Sequence, residues 1–320
     1  MTVPHGRVWS RISARAPVRV DFGGGWTDVP PYPEEQGGFV TSVAIARYAT
    51  ASIVRDAPPS DPAAESEMVR AVRRRLPALS ASIALNSDVP VGSGLGGSSA
   101  LSVALLAAMA AIDDERVDRR ALAERSRHFE VDELGISGGW QDHYSAALGG
   151  ALAMRFAQTN LVTSIPLAPH TIVALEGALL LYYTGASRLS ATTIDGVRAR
   201  YQQHDQGTRA ALATMRRLAE AMARSLEAGD IPTLGALVGE HWLHQQTLHS
   251  GVSTPQLDRM IDLATREGAF GAKALGASGG GCLIIIAPPD RHDALQAALD
   301  PLGMRLPVRI DQLGCQVTVE

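Results

Sequence analysis

Residues 82–112, SIALNSDVPVGSGLGGSSALSVALLAAMAAI, combine four glycines with a pair of serines at the head of an apolar run. The glycines are Gly92, Gly94, Gly96 and Gly97, with Leu95 between them, and Ser98 and Ser99 open a helix that is apolar on almost every face. Glycine lets a backbone turn tightly and approach a ligand closely. Serines at a helix start supply an N-cap and free hydroxyls. The exposed N–H groups and the positive end of the helix dipole make an anion site. A helix apolar all round is buried, which holds its tip in place. The stretch reads as a phosphate cradle; the plainer alternative is a buried Gly/Ala/Ser helix behind a flexible entry.

Two familiar glycine motifs do not fit. Gly92-x-Gly94-x-x-Gly97 matches the dinucleotide fingerprint in form. That fingerprint also needs a tight strand-to-helix turn and an acidic residue closing a second strand. Here Pro90 interrupts the approach, and Asp113 and Asp114 end the helix. A Walker-type loop needs Lys and then Ser or Thr after its last glycine, whereas Gly97 is followed by Ser98 and Ser99.

The surrounding pattern is that of a mixed protein able to position such a loop. A strand over 18–22 feeds a second glycine cluster, Gly23-Gly24-Gly25, followed by Trp26-Thr27-Asp28. Residues 39–54 read as one or two strands, 65–76 as a helix and 82–85 as a strand. A charged helix over 118–133 precedes the loop Gly138-Gly139-Trp140-Gln141-Asp142-His143, and a short helix resumes over 144–148. The pattern resets near residue 170. An apolar strand over 175–183 follows, then helices over 187–228, 233–247 and 255–267. A third glycine loop, 271–281, runs into a strand over 282–287, then a helix over 290–302 and closing strands over 308–319. Strands mixed with helices without regular alternation indicate an α+β chain, divided into domains 1–170 and 171–320.

At 320 residues the chain is long enough for two cores. Its formal net charge of -4 argues against a general nucleic-acid binder. With only Cys282 and Cys315 there is no disulfide framework and no metal-type cysteine spacing. No signal-peptide core is legible, and no apolar run reaches the roughly 20 residues that span a bilayer. A cytoplasmic protein is the expectation, with no membrane partner and either a monomer or a homodimer.

Three glycine-rich loops in this order resemble the signature motifs of the GHMP kinases over nearly the whole chain. The resemblance implies a two-domain fold, an N-terminal ribosomal-protein-like α/β domain and a C-terminal ferredoxin-like α+β domain. It also implies ATP and Mg²⁺ as cofactors and a small sugar as substrate. RAPVRVDFGGGWTDVPPYPEEQGG is similar to the sugar-facing motif of the sugar-1-kinases. It implies that Asp28 bonds sugar hydroxyls, with Trp26, Thr27 and Gly139 beside it, and that Arg19 sits near the reacting oxygen; pairing of Arg19 with Asp21 is the alternative. PVGSGLGGSSAL, with Gly92, Gly94, Leu95, Gly96, Gly97, Ser98 and Ser99, resembles the nucleotide-phosphate loop. Ser98 matches the magnesium-coordinating serine, with Ser99 as alternative. The separation of Glu130 from Asp142 is that of the magnesium carboxylate from the catalytic aspartate in galactokinases, with Glu133 competing. Asp142 matches the catalytic aspartate, a helix N-cap being the alternative. KALGASGGGCLIII resembles the loop closing over the triphosphate, through Lys273, Gly279 and Gly280.

The wording GGGWTD and GGWQD resembles kinases acting at the anomeric carbon, of the L-fucose and heptose-phosphate kinds. GEHWLHQQTLHSGVSTP and YTGASR are more similar to the heptose kind. A sugar phosphate wants a cationic pocket, for which Arg188 is the expected contact, and Arg19 is expected to lower the pKa of Asp142. An L-fucose-type kinase, a non-catalytic sugar-binding relative and, remotely, a dinucleotide oxidoreductase are the other readings.

Overall fold

The computed structural model describes residues 9–57, 65–77, 79–186 and 190–320. In the first half, β1 (Arg11–Gly23) and the helix α1 (Tyr32–Gln36) lead into the long strand β2 (Gly38–Arg55). Then come α2 (Glu67–Arg75), β3 (Ala81–Ser87), α3 (Gly97–Ile112) and α4 (Arg119–His128), the last running into a π turn (Phe129–Glu133). α5 (Gln141–Leu148), β4 (Ala151–Phe156) and β5 (Leu161–Ile165) complete it. The second half comprises α6 (Pro169–Ala178), β6 (Leu179–Tyr183), α7 (Ser190–Gln202), α8 (Gln206–Ala228), α9 (Ile231–Gln245), α10 (Pro255–Arg266), β7 (Gly271–Ala274), β8 (Cys282–Ile286), α11 (His292–Leu299), β9 (Met304–Leu306) and β10 (Gln316–Val319).

Two antiparallel sheets result. One runs β10-β1-β2-β4-β5, with β3 also paired to β2, and the other runs β7-β8-β6-β9. β2 is long enough to serve two partners, its first half pairing β4 and its second half β3. Neighbouring residues of a strand point to opposite faces. Thr41 Oγ1 donates to Ala219 O of α8, while Ser42 Oγ lies 2.9 Å from Ser145 Oγ of α5. The sheet is therefore sandwiched between α5 and α8, and α3 packs beside α5 on β1 and β2. This double cover explains why β1 alternates in burial at its start and is buried throughout from Ala16 to Gly23.

α8 ties the two halves together. Its buried residues recur at helical spacing. Ala211, Leu212 and Met215 enter the core of the second sheet, whereas Leu218, Met222 and Leu226 enter that of the first. The division at residue 170 is also crossed at the C-terminus, where β10 leaves the second half to pair with β1.

The mixed α+β class agrees with expectation, and several boundaries differ: the helical stretch expected through 187–228 breaks at 203–205 between α7 and α8, and the first residues of the expected loop 271–281 form β7. The strand expected over 175–183 begins only at Leu179. Pro169 starts a helix that continues through Ala178, because proline suits a first turn and Ala, Leu and Glu favour helix over strand. The helix expected over 290–302 is confined to His292–Leu299, between Pro289 and Pro301. The strands expected over 308–319 reduce to β10 and an isolated bridge from Ile310 to Ile45.

Candidate active site

The glycine loop forms a left-handed staircase: Gly92, Gly94 and Gly96 have φ of 73°, 76° and 78°. At Gly94 the need for glycine is steric as well as torsional, since a β-carbon would lie 2.5 Å from Leu275 O. The loop thus nests against the turn between β7 and β8, where Cys282 N–H donates to Ser93 O. Arg19 clamps it from β1. Its backbone N–H donates to Leu95 O, and its Nη1 donates to Gly94 O at 2.6 Å.

Gly96, not a serine, caps α3, and no side chain caps its first N–H groups. The expectation that Ser98 or Ser99 acts as an N-cap is corrected here. Both hydroxyls instead donate to Glu130, Ser98 to Oε1 and Ser99 to Oε2 at 2.7 Å. Glu130 comes from the π turn and is 4% exposed, whereas Glu133 of the same turn is an exposed partner of Arg75. Burial pushes the Glu130 carboxyl above its ordinary pKa, the serine bonds opposing it. His143 Nε2 lies 3.2 Å from Glu130 Oε2. Burial, helped by Arg127, lowers the His143 pKa to about 3, so this imidazole is neutral at physiological pH.

Asp142 lies in the first turn of α5, one residue past its start, and caps nothing. Its Oδ1 is 2.7 Å from Arg19 Nη2. A β-carbon on Gly96 would sit 3.0 Å from Asp142 Cγ, so this carboxyl abuts the tip of α3. Arg19 does favour the ionised form, but the net pKa shift of Asp142 is upward, against expectation, because burial outweighs the guanidinium and Asp21 adds repulsion. The alternative pairing of Arg19 with Asp21 does not form. Asp21 is taken by Lys273, whose Nζ donates to Asp21 O at 3.0 Å and lies 3.3 Å from Oδ2.

That pairing corrects the assignment of Lys273 to the nucleotide loop: it lies on β7 with its side chain fully buried. Gly279 is likewise committed, its N–H donating to Val252 O. Gly280 is packed against Ala186 O, 2.6 Å from where its β-carbon would be. Thr27 is also withdrawn from the substrate. It is fully buried, with Oγ1 2.7 Å from Gly24 O and accepting from Phe39 N–H, which makes it a clip for the turn. Trp26, at φ 80°, is buried with its indole Nε1 lacking a partner among the described residues. Arg188 lies outside the described residues.

Asp28 reaches across to α5. Its Oδ2 accepts from the N–H groups of Trp140 (2.8 Å) and Gln141 (3.0 Å), capping the helix that carries Asp142. A β-carbon on Gly139 would lie 2.1 Å from that same oxygen. Gly139→Ala is expected to displace Asp28 from the helix end and remove about 1–3 kcal/mol of stability by overpacking, read from urea unfolding; an unchanged midpoint would refute the contact.

Burial raises the Asp28 pKa from 3.8 to about 6, opposed by its two backbone bonds. A carboxyl whose folded pKa lies above its unfolded value binds a proton more tightly when folded. Its stabilising share is complete below about pH 4 and is lost as pH rises through 6, a change of about 3 kcal/mol. Asp28→Asn is therefore expected to gain melting temperature relative to the parent between pH 4.5 and pH 7.5. Parallel curves for the two proteins would show that Asp28 does not titrate this way.

Two neighbours had no sequence signal. Arg127, in the last turn of α4, is 8% exposed with its guanidinium 4.6 Å from the centre of the Trp140 ring. Its helix is rich in charge, and the burial of this one arginine depends on what the fold lays over it. His143 follows Asp142 directly, and its link to Glu130 exists only because α5 packs against α4.

Comparison with known proteins matches the chain to a family. The family model described as GHMP kinases N terminal domain matches residues 65–150, and that described as GHMP kinases C terminal matches 220–302. The chain is 28% identical over 316 residues to a D-glycero-alpha-D-manno-heptose 7-phosphate kinase of Campylobacter jejuni, covering 90% of this chain and 93% of that one. It is 27% identical over 328 residues to an L-fucokinase/L-fucose-1-P guanylyltransferase of Bacteroides fragilis, covering 86% of this chain and 34% of that protein, about a third of its length. The fold is like that of a D-glycero-D-manno-heptose 1-phosphate kinase from Bacteroides thetaiotaomicron, with a TM-score of 0.76 at 24% identity, covering 96% of this chain and 98% of that one.

Proposed function

The chain belongs to the GHMP kinases, and from that premise we propose an ATP- and Mg²⁺-dependent sugar kinase acting at the anomeric hydroxyl of a heptose 7-phosphate or related long-chain sugar phosphate. The observation that carries the reading is the Asp142–Arg19 pair set against Gly96, at the uncapped N-terminus of α3. Phosphoryl transfer asks a protein mainly for positioning and charge stabilisation. The loop N–H groups and the end of α3 hold the phosphates. Asp142 accepts the proton of the attacking hydroxyl, as a positioned carboxylate can. Arg19, fixed at one end on Gly94 O, keeps that carboxylate aimed at the cradle. Asp28 spends Oδ2 on α5 and leaves Oδ1 for a sugar hydroxyl.

The residues also fit a magnesium ion. Two serine hydroxyls and a buried carboxylate are hard oxygen donors. Among the described residues, Glu130 has no lysine or arginine within ion-pair distance, and the basic side chain that reaches it is the neutral His143. Bound there, Mg²⁺ would be held by Glu130 with Ser98 or Ser99 and would offset the negative charge of the phosphates.

The test is ADP release from ATP and Mg²⁺ with L-fucose, D-galactose, D-mannose, and heptoses with and without a terminal phosphate, followed by phosphorus NMR of the product. Turnover of the phosphorylated heptose to a sugar bearing phosphate on C1 is expected. Turnover of L-fucose alone would move the protein to the fucokinase kind. Silence with ATP still bound would replace the kinase by a binding protein.

A further inference from the structure

Beside Asp28 the structure holds a cavity of about 470 Å³, lined by residues that include Arg127, Gly138, Arg198 and Pro30. Arg127 is more than nine-tenths buried. Its guanidinium makes no hydrogen bond or ion pair among the described residues, and its Nε is an orphaned buried donor. Stacking on Trp140 orients the plane but neutralises nothing. Arg198, on α7 across the cavity, likewise has an unpartnered Nε, and its closest carboxylate, Asp195, stands 3.9 Å away. Asp132 also lines the cavity and its charge acts on Arg127 from beyond ion-pair distance, while its Oδ2 lies 2.5 Å from His128 Nδ1. A buried, unpaired guanidinium is costly unless an anion completes it. Burial here pushes the Arg127 pKa below its ordinary value.

The cavity is joined to the sugar position through single residues. Gly138 lines it, and Gly139 is the residue pressed against Asp28. Trp140 carries Arg127 on its ring and donates its N–H to Asp28. The far end of a ligand with hydroxyls at Asp28 would thus lie on the side of the cavity, whose wall includes Pro30 and Gly138. We propose that Arg127 and Arg198 form the anion subsite that takes the terminal phosphate of a phosphorylated long-chain sugar held at Asp28. This rests on the sugar-kinase reading and assigns to α4 and α7 the role expected of Arg188. Two planar guanidinium forks facing one cavity suit a phosphate, which accepts paired N–H bonds from arginine.

Calorimetric titration of the full chain tests this, using D-glycero-D-manno-heptose 7-phosphate, the same heptose without phosphate, and inorganic phosphate. The parent is expected to bind the phosphorylated heptose at least tenfold more tightly than the plain one. Arg127→Gln and Arg198→Gln are each expected to reduce that preference at least tenfold, with plain heptose and ATP bound within twofold of the parent, and to weaken inorganic phosphate in parallel. Arg198 is half-buried, so its variant decides the matter if Arg127→Gln does not fold. Equal binding of the two heptoses by the parent, or an undiminished preference in a folded Arg198→Gln, would overturn the subsite. Arginine-dependent phosphate binding without turnover of any sugar would uphold the subsite and reject the kinase reading. Turnover that ignores both arginines would do the reverse.

Discussion

Asp142→Asn is expected to lower turnover by about two to four orders of magnitude, the usual loss when a positioned proton acceptor is removed, with ATP affinity within threefold of the parent. The substitution is isosteric. Arg19 keeps its bond to Gly94 O, so the loop it clamps stays in place, and the N-terminus of α3 is untouched. What is lost is the acceptor at the tip of the cradle. The pH profile supplies an independent readout. A base works when ionised, and burial places the Asp142 pKa above the ordinary carboxylate range. The parent rate should therefore climb with pH through a region above that range, and the residual rate of the variant should lack that limb. Single-turnover kinetics and ATP titration decide it. Activity within a few-fold of the parent would remove Asp142 from the chemistry.

Glu130→Gln is expected to raise the Mg²⁺ concentration needed for half-maximal rate at least tenfold and to cut the rate at saturating ATP by about a hundredfold, the scale on which single electrostatic groups act. Glutamine keeps one oxygen for a serine but removes the charge. Because burial raises the Glu130 pKa, ionising it is less favourable in the folded than in the unfolded state. The variant should thus melt at pH 7.5 no lower than the parent, which separates a functional loss from a structural one. Ser98→Ala and Ser99→Ala, titrated alongside, assign the hydroxyl that shares the metal: the larger shift in Mg²⁺ requirement marks it. An unchanged Mg²⁺ dependence in Glu130→Gln would exclude the carboxylate.

The local sequence determined whatever depends on local geometry. Glycine runs announced backbone that must turn and approach closely, and the order of three such runs, with Arg19, Asp28, Glu130 and Asp142 at their spacings, brought out a site that the fold assembles around one helix tip. Periodicity located α2, α9, α10 and the end of α8 closely, because an apolar stripe is written in consecutive turns. It failed at 175–178, Leu-Glu-Gly-Ala, where a few residues joined to the apolar run 179–183 are too short a window to tell a helix from a strand.

The tertiary structure decided which polar group meets which. Ser98 and Ser99 look like caps in isolation, but a carboxylate delivered by the π turn takes both hydroxyls. The same turn separates Glu130, buried at the cradle, from Glu133, left to Arg75 at the surface. Lys273 sits in a glycine-rich segment, yet β7 runs beneath Asp21 and draws the ammonium inward. Arg127 is one of several arginines on its helix until Trp140 stacks over it. Burial and charge pairing are set by residues distant in the chain, and a buried charge is stable only with the partners that the fold supplies.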